Sequence, residues 1–257
     1  MAEEVEITND ELSKPAIGSD SYTEDEITTL TWNEHIRRRP GMYIGKLGDG
    51  TSSDDGIYVL LKEVLDNAID EYMMGYGKQV SIDINEQSVQ VRDFGRGIPL
   101  EKVVDVASKM NTGAKYDSKA FKKSVGLNGV GIKAVNALST EFYIESVRDG
   151  QCKQAHFSRG EIISESDIIP SDEPNGTLVR FTPDAEIFRG YKYLEEFIIP
   201  LLKNYTFLNT GLAIYLNGKR FYSRNGLMDL LKENLTAEVL YPIIHLKGDD
   251  IEVVITH

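Results

Sequence analysis

Between residues 55 and 74 the apolar positions Ile57, Leu60, Leu61, Val64, Leu65, Ala68, Ile69 and Tyr72 recur at spacings of three and four. That spacing predicts a long helix with one buried face. Asp54 or Asp55 can cap its start through a short side-chain acceptor, and Gly75 and Gly77 stop it. Downstream the period changes. Residues 80–84 and 89–93 alternate apolar and polar across Asn85-Glu86-Gln87, which predicts a hairpin. Helices are expected at 100–110 and 132–138, and strands at 141–147, 155–157 and 177–181, with Asp149-Gly150 as a hairpin turn. An amphipathic helix is expected over 191–208, and a second hairpin over 212–216 and 219–222 around Asn217-Gly218. Neighbouring strands are joined by hairpins more often than by helical crossovers. The expected fold is therefore α+β, a two-layer sandwich with a mixed, mainly antiparallel sheet and helices on one face.

Composition adds three constraints. With 257 residues, 41% of them hydrophobic, the chain can bury a large core. It contains no apolar run long enough to span a bilayer, its first residues are acidic where a signal peptide would be basic, and its single Cys152 excludes internal disulfides, so a reducing cytoplasm is expected. The net charge of −13 is concentrated: residues 1–34 hold ten Asp/Glu and one Lys, giving −9, and the other 223 residues carry −4. Residues 1–20 are expected to be disordered, and 21–31, with Tyr22 and Ile27 in a polar setting, to order only on docking. A chain this acidic, with no long basic run, is a poor stand-alone DNA binder.

Several polar positions could carry chemistry. On the long helix, Glu63, Asn67 and Asp70 fall at i, i+4 and i+7, on one stripe expected to lie opposite the apolar face. A solvated stripe is the commoner outcome, but an i,i+4 ion pair would favour a charge at 67, whereas an amide oxygen one turn from a Glu suits a hard cation with a water beside it. Asp93 ends a strand just before Gly95-Arg96-Gly97, where it could accept a hydrogen bond from an exocyclic amine or simply cap the turn. The hydroxyl of Thr177, after Gly176, could assist that contact or belong to an ordinary strand residue. Gly126-Leu127-Asn128-Gly129-Val130-Gly131 before a helix could cradle phosphate on its backbone N–H groups or be only a turn. It is neither a P-loop nor a dinucleotide fingerprint, having no Gly-Lys-Ser/Thr and no suitable βαβ setting. Lys115, Lys122 and Lys123 precede it, and Arg37-Arg38-Arg39 before Pro40-Gly41 reads most simply as a solvated turn.

Taken in order, these segments resemble the GHKL ATPases (gyrase, Hsp90, histidine kinases, MutL), and within them the ATPase region of type IIA topoisomerase B subunits. The resemblance rests on RRRPGMYIG (37–45), EVLDNAIDE (63–71), DFGRGIP (93–99), GLNGVG (126–131) with KAVNALS (133–139), and GTLVRF (176–181), and it covers about residue 22 to the end. The absence of an insertion after Ile98-Pro99 and the wording of 110–131 are more similar to topoisomerase IV (ParE) than to gyrase (GyrB). The resemblance implies the Bergerat ATP-binding fold and the following roles. Glu63 is the general base and Asn67 the Mg²⁺ ligand, beside Asp70. Asp93 reads adenine, with Gly97, Ile98, Pro99 and Thr177 next to it. Glu71 and Arg96 form a salt bridge at the pocket mouth. Lys115 and the backbone of Gly126, Leu127, Asn128, Gly129, Val130 and Gly131 form the phosphate lid. Tyr22 and Ile27 lie on an arm that reaches the partner protomer.

It further implies ATP and Mg²⁺ as ligands, ATP-driven homodimer closure through the arm, an A-type topoisomerase partner (ParC or GyrA), and DNA in the full-length enzyme. The implied layout is an arm at 1–34, the ATPase domain at 35–234, and the start of a truncated transducer domain at 235–257, so hydrolysis by this stretch alone is expected to be weak. The pattern departs from gyrase at Asn128, where His is common, and at Phe121, where Tyr is common. Gln154 or Lys153 falls at the position of the arginine that aminocoumarin inhibitors use, leaving sensitivity to them open. The alternatives are another GHKL enzyme such as a chaperone or kinase, a non-catalytic nucleotide-gated dimerisation module, for which Glu63 would be unnecessary, and a plain structural domain that binds no nucleotide.

Overall fold

The computed structural model describes residues 28–113, 129–249 and 251–257, and residues Thr31–His257 form one compact unit. Three helices come first: α1 (Trp32–Arg38), α2 (Gly41–Ile44) and α3 (Gly56–Met73). The long helix is thus where its periodicity puts it. Asp55 holds the N-cap position with extended backbone, but its carboxylate does not bond the helix. It accepts the N–H groups of Gly50 and Ser52 at 2.9 and 3.1 Å and pairs with Lys46 at 2.8 Å. The capping residue is spent on ordering the loop that delivers the chain to α3.

The sheet is built from β1 (Gln79–Asn85), β2 (Ser88–Asp93), β3 (Ser139–Arg148), β4 (Gln151–Ser158), β5 (Glu161–Glu165), β6 (Ile169–Pro170), β7 (Gly176–Pro183), β8 (Ala213–Leu216) and β9 (Lys219–Tyr222). Its order is β5-β4-β3-β7-β2-β1-β8-β9, with β6 also on β4. Among the described strands only β1 and β8 pair in parallel. β5 and β6, absent from the sequence reading, extend the edge.

Register arranges the inward side chains in rows across the strands. Phe157, Phe142, Phe181 and Val89 form one row; Ala155, Ile144, Val179, Val91 and Ile82 form the next. In the third, Ser146 pairs with Thr177, and Asp93 pairs with Val80. The first two rows are buried and apolar, whereas the third is polar in the middle strands. Because side chains alternate faces, Asp93 points the same way as Val89 and Val91, into the layer between sheet and helices. The other face carries Asp83 and Arg180, exposed, and Gln90, Arg92 and Glu145, half-buried.

Onto the buried face pack α3, α5 (Gly131–Ala137) and α6 (Glu195–Leu208), together with α4 (Val103–Ser108), which continues a 3-10 turn at Leu100–Lys102. α6 begins at residue 195 rather than 191. Tertiary bonds hold the preceding stretch extended: Lys192 N–H donates to Asp49 O at 2.9 Å, Leu194 N–H donates to the Tyr58 hydroxyl at 3.0 Å, and the Tyr191 hydroxyl donates to Gln87 O at 3.0 Å. α5 is tied at its C-terminal end by Arg37, which donates to Ala137 O at 3.0 Å and to Asp184 at 2.7 Å. Arg159 joins the same buried Asp184 at 3.0 Å. Two guanidiniums on one carboxylate offset its burial, and Arg37 is a structural clamp rather than a solvated turn residue.

At the C-terminal end, α7 (Leu227–Asn234) precedes a two-stranded antiparallel sheet of β10 (Ile244–Lys247) and β11 (Glu252–Ile255). Ile244, Leu246, Val253 and Ile255 of this pair are exposed. No described helix is long and apolar enough to cross a membrane.

Candidate functional site

Between the polar row of the sheet and the helices lies a cavity of about 740 Å³. At one end Asp93 is 8% exposed. Its Oδ1 accepts the backbone N–H groups of Gly95 at 2.9 Å and Thr177 at 3.1 Å. Thr177 therefore contacts Asp93 through its backbone N–H. Among the described residues Oδ2 has no protein partner, so the carboxylate is anchored by one oxygen and can accept a further donor with the other. Burial pushes its pKa up to about 6, against the two N–H bonds that favour the charged form.

The turn after Asp93 is stitched to its surroundings. Glu71 on α3 takes the Arg96 guanidinium at 2.9 and 3.0 Å and the Arg96 backbone N–H at 3.0 Å. The Arg96 guanidinium also lies 4.6 Å from the centre of the Tyr76 ring. Gly97 has φ +76°, and a Cβ there would meet Val147 O at 2.4 Å, so only glycine lets this turn lie against β3. Ser146 Oγ donates to Ile98 O at 2.8 Å from the same strand. Gly97, Ile98 and Pro99 all line the cavity.

The other end is formed by α3 and the start of α5. Glu63 and Asn67 are half-buried and line the cavity. The Asn67 amide nitrogen donates to Glu63 O at 3.0 Å, which turns its oxygen away from the helix backbone. Asp70 is fully buried and does not line the cavity. The stripe of Glu63, Asn67 and Asp70 is thus not a solvent face: it runs from the cavity wall into the core.

Gly129, Val130 and Gly131 line the same cavity as Glu63. A Cβ on Gly131 would lie 1.7 Å from Glu63 Oε2, so the glycine is what lets loop and carboxylate meet. Alanine at the head of a helix is intrinsically acceptable, and the conflict is with the end of a flexible side chain. Gly131→Ala is therefore expected to leave the unliganded melting temperature within about 3 °C while displacing Glu63. Any turnover that depends on Glu63 should fall by about tenfold or more, and the two measurements together check the contact.

The sequence reading did not mark several residues of the cavity. Met42 and Tyr43 on α2 close one side. Lys133 on α5 is buried there, and Arg148 at the end of β3 lines the wall and donates to Gly97 O at 3.4 Å. Lys153 and Gln154, expected to replace a pocket arginine, are elsewhere: they bond Glu165 and Glu145. On this side of the cavity Arg148 supplies the guanidinium, five residues before Lys153. Tyr22, Ile27, Lys115, Phe121, Lys122, Lys123, Gly126, Leu127 and Asn128 lie outside the described residues.

A carboxylate acceptor at one end of the cavity, and a Glu/Asn pair facing glycine backbone at the other, can hold a ligand with an amine-bearing ring and an anionic tail. Residues 52–187 match the family described as histidine kinase-, DNA gyrase B-, and HSP90-like ATPase. The chain belongs to that family of ATPases. Relatives of this ATPase domain include the B subunit of DNA topoisomerase 4 from Borreliella burgdorferi, 48% identical over 92% of this chain and 40% of that protein. The B subunit of DNA gyrase from Mycolicibacterium smegmatis is 37% identical over 84% of this chain and 32% of that protein. The 43K ATPase domain of Thermus thermophilus gyrase B, solved with an aminocoumarin, superimposes with a TM-score of 0.71 at 30% identity, over 88% of this chain and 62% of that one. The domain spans two-fifths or less of the length of these two curated relatives.

Proposed function

We propose that the cavity binds ATP with adenine at Asp93 and the phosphates between Gly129–Gly131 and the Glu63/Asn67 pair, and that the domain hydrolyses it. The observation that carries the assignment is the Asp93 carboxylate, held by two backbone N–H groups through one oxygen in the cavity that also contains Glu63. In this reading Asp93 Oδ2 accepts from the exocyclic amine of adenine. Glu63 takes a proton from a water as its oxygen attacks the γ-phosphorus and the bond to the bridging oxygen breaks, giving ADP and inorganic phosphate. The glycine-loop N–H groups hold the phosphate oxygens. Asn67, with its amide nitrogen committed to Glu63 O, presents one neutral oxygen. That suits Mg²⁺, which takes most of its ligands from phosphates and water and when bound neutralises phosphate charge. No group of three or more acidic, His or Cys side chains suited to a metal occurs among the described residues, in keeping with an ion carried in by the nucleotide.

The relatives support a wider reading: the ATPase portion of a type IIA topoisomerase B subunit in the cytoplasm, with the topoisomerase 4 relative favouring topoisomerase IV over gyrase. ATP would then drive closure of a homodimer through residues 1–34 for DNA strand passage, with an A-type topoisomerase chain as partner. The exposed apolar pair β10–β11, too small to be stable alone, supports residues 235–257 as the start of a further domain. Thermal melting with Mg²⁺ and a non-hydrolysable ATP analogue tests nucleotide binding. Ligand at 100 times its dissociation constant adds about 2.7 kcal/mol, or roughly 5–10 °C for a domain of this size. No shift with any nucleotide would remove the assignment.

A further inference from the structure

Lys133 is 1% exposed, one of the largest fully buried side chains in the domain and a rarity for lysine. Its ammonium donates to Thr112 O at 2.6 Å and to Gly129 O at 2.7 Å. These two carbonyls stand on either side of residues 114–128, so one cation draws the chain before that stretch to the chain after it. Both bonds are charge-assisted and short, and the same lysine lies on α5 two residues beyond Gly131, whose backbone approaches Glu63. Gly129 has φ +62°, and its carbonyl, directed at the ammonium, has Lys133 as a charged partner. Once that carbonyl is turned toward the ammonium, the planarity of the peptide unit turns the Val130 N–H the opposite way.

We infer that Lys133 is a positioning residue: by clasping Thr112 O and Gly129 O it holds the Gly129–Gly131 backbone in place against Glu63, and so sets the affinity of the cavity for the phosphate tail of the nucleotide. The inference rests on the ATP-binding reading above. It differs from a direct role in neutralising phosphate charge, because both bonds of the ammonium go to backbone carbonyls of the chain itself. It differs from a core-packing role, because the effect is confined to one end of the cavity.

The test uses this chain with Lys133→Met, which keeps the length of the side chain without the donors, and Lys133→Gln, which keeps a shorter neutral donor. The probes are a non-hydrolysable ATP analogue with Mg²⁺, adenosine, and amide hydrogen exchange over residues 129–133 without ligand. In Lys133→Met, affinity for the ATP analogue is expected to fall about tenfold, since displacement of a positioned group by a fraction of an ångström has effects of this order. Adenosine affinity should stay within about twofold and exchange at 129–133 should rise, with Lys133→Gln lying between parent and Met; values in strands β3 and β7 should not change. A loss for the triphosphate without faster exchange overturns the inference in favour of direct charge. Equal losses for both ligands, or failure of both variants to fold, overturn it in favour of a core role. If the parent binds neither ligand, the ATP-binding reading itself fails; if the parent binds and only the variants' pattern differs, that reading stands.

Discussion

Glu63→Gln is expected to slow ATP hydrolysis by about 10²- to 10⁴-fold, the usual contribution of a positioned general base, while nucleotide affinity stays within about threefold. The size of the effect follows from how the other carboxylates near the cavity are committed. Asp66 bonds Lys62 at 2.6 Å through one oxygen and the Tyr205 hydroxyl through the other. Both Glu71 oxygens are taken by Arg96. Asp70 is buried away from the cavity, and Asp93 stands with the polar row of the sheet, beside the 95–99 turn. Among the described residues Glu63 is the acid that meets the glycine backbone, where a terminal phosphate would lie. A glutamine retains shape and hydrogen bonding but cannot accept the proton, so binding and turnover should separate. Single-turnover hydrolysis and analogue binding on the same preparation decide it. Retention of hydrolysis within threefold would move the base elsewhere, and parallel loss of binding would make Glu63 a binding group. Gly131→Ala should reproduce the hydrolytic defect in milder form, because it disturbs the same carboxylate from the opposite side.

Most of what builds this site is local in sequence, and that part is readable. The three-and-four spacing locates α3 to within a residue at each end, and with it Glu63 and Asn67. The alternation Val89-x-Val91-x-Asp93 places a carboxylate on the core side of a strand, which is the feature that matters. What sequence does not reveal depends on partners distant along the chain. Arg37 has the look of a turn residue until Asp184, 147 positions away, is brought beside it. Residues 191–194 have a helical pattern, but bonds to Asp49, Tyr58 and Gln87 hold them extended. Asp70 reads as solvent-facing because periodicity cannot say what lies beyond a polar stripe, and here it is cavity and core rather than water. Lys133 does leave a signal: it is the lone charge in Gly131–Ala137, a helix of otherwise apolar and small residues plus Asn136, and a charge in such a setting must find partners inside.

Asp93→Asn is expected to act in opposite directions on function and on stability. For function, the amide can still accept the Gly95 and Thr177 N–H groups through its oxygen, but this leaves an NH₂ where the second carboxylate oxygen stood. A donor then faces the exocyclic amine, and with one hydrogen bond lost and one donor left unpaired, about 2–4 kcal/mol of nucleotide affinity should disappear. The nucleotide-induced rise in melting temperature should vanish with it. For stability the sign reverses. Burial raises the Asp93 pKa from 3.8 to about 6, so between those values the folded protein holds a proton that the unfolded chain has released. Stability therefore falls as pH rises through that window, and above it the charged, buried carboxylate costs up to about 3 kcal/mol relative to its protonated form. Asparagine carries no such cost. The unliganded variant should be more stable than the parent at pH 7.5 by on the order of 1–3 kcal/mol, a few degrees in melting temperature, and the difference should shrink toward zero at pH 4. In the parent, nucleotide affinity should weaken below about pH 6 as the acceptor is protonated. Melting curves of both proteins at pH 4 and 7.5, with and without the ATP analogue, separate the two effects. A variant that still responds to nucleotide would show that Asp93 does not read the base. A variant less stable than the parent at pH 7.5 would show that the carboxylate is held for the fold. The reversed sign is the stronger test, because a residue kept for structure has no reason to destabilise the protein that contains it, whereas a buried acceptor kept for a ligand does.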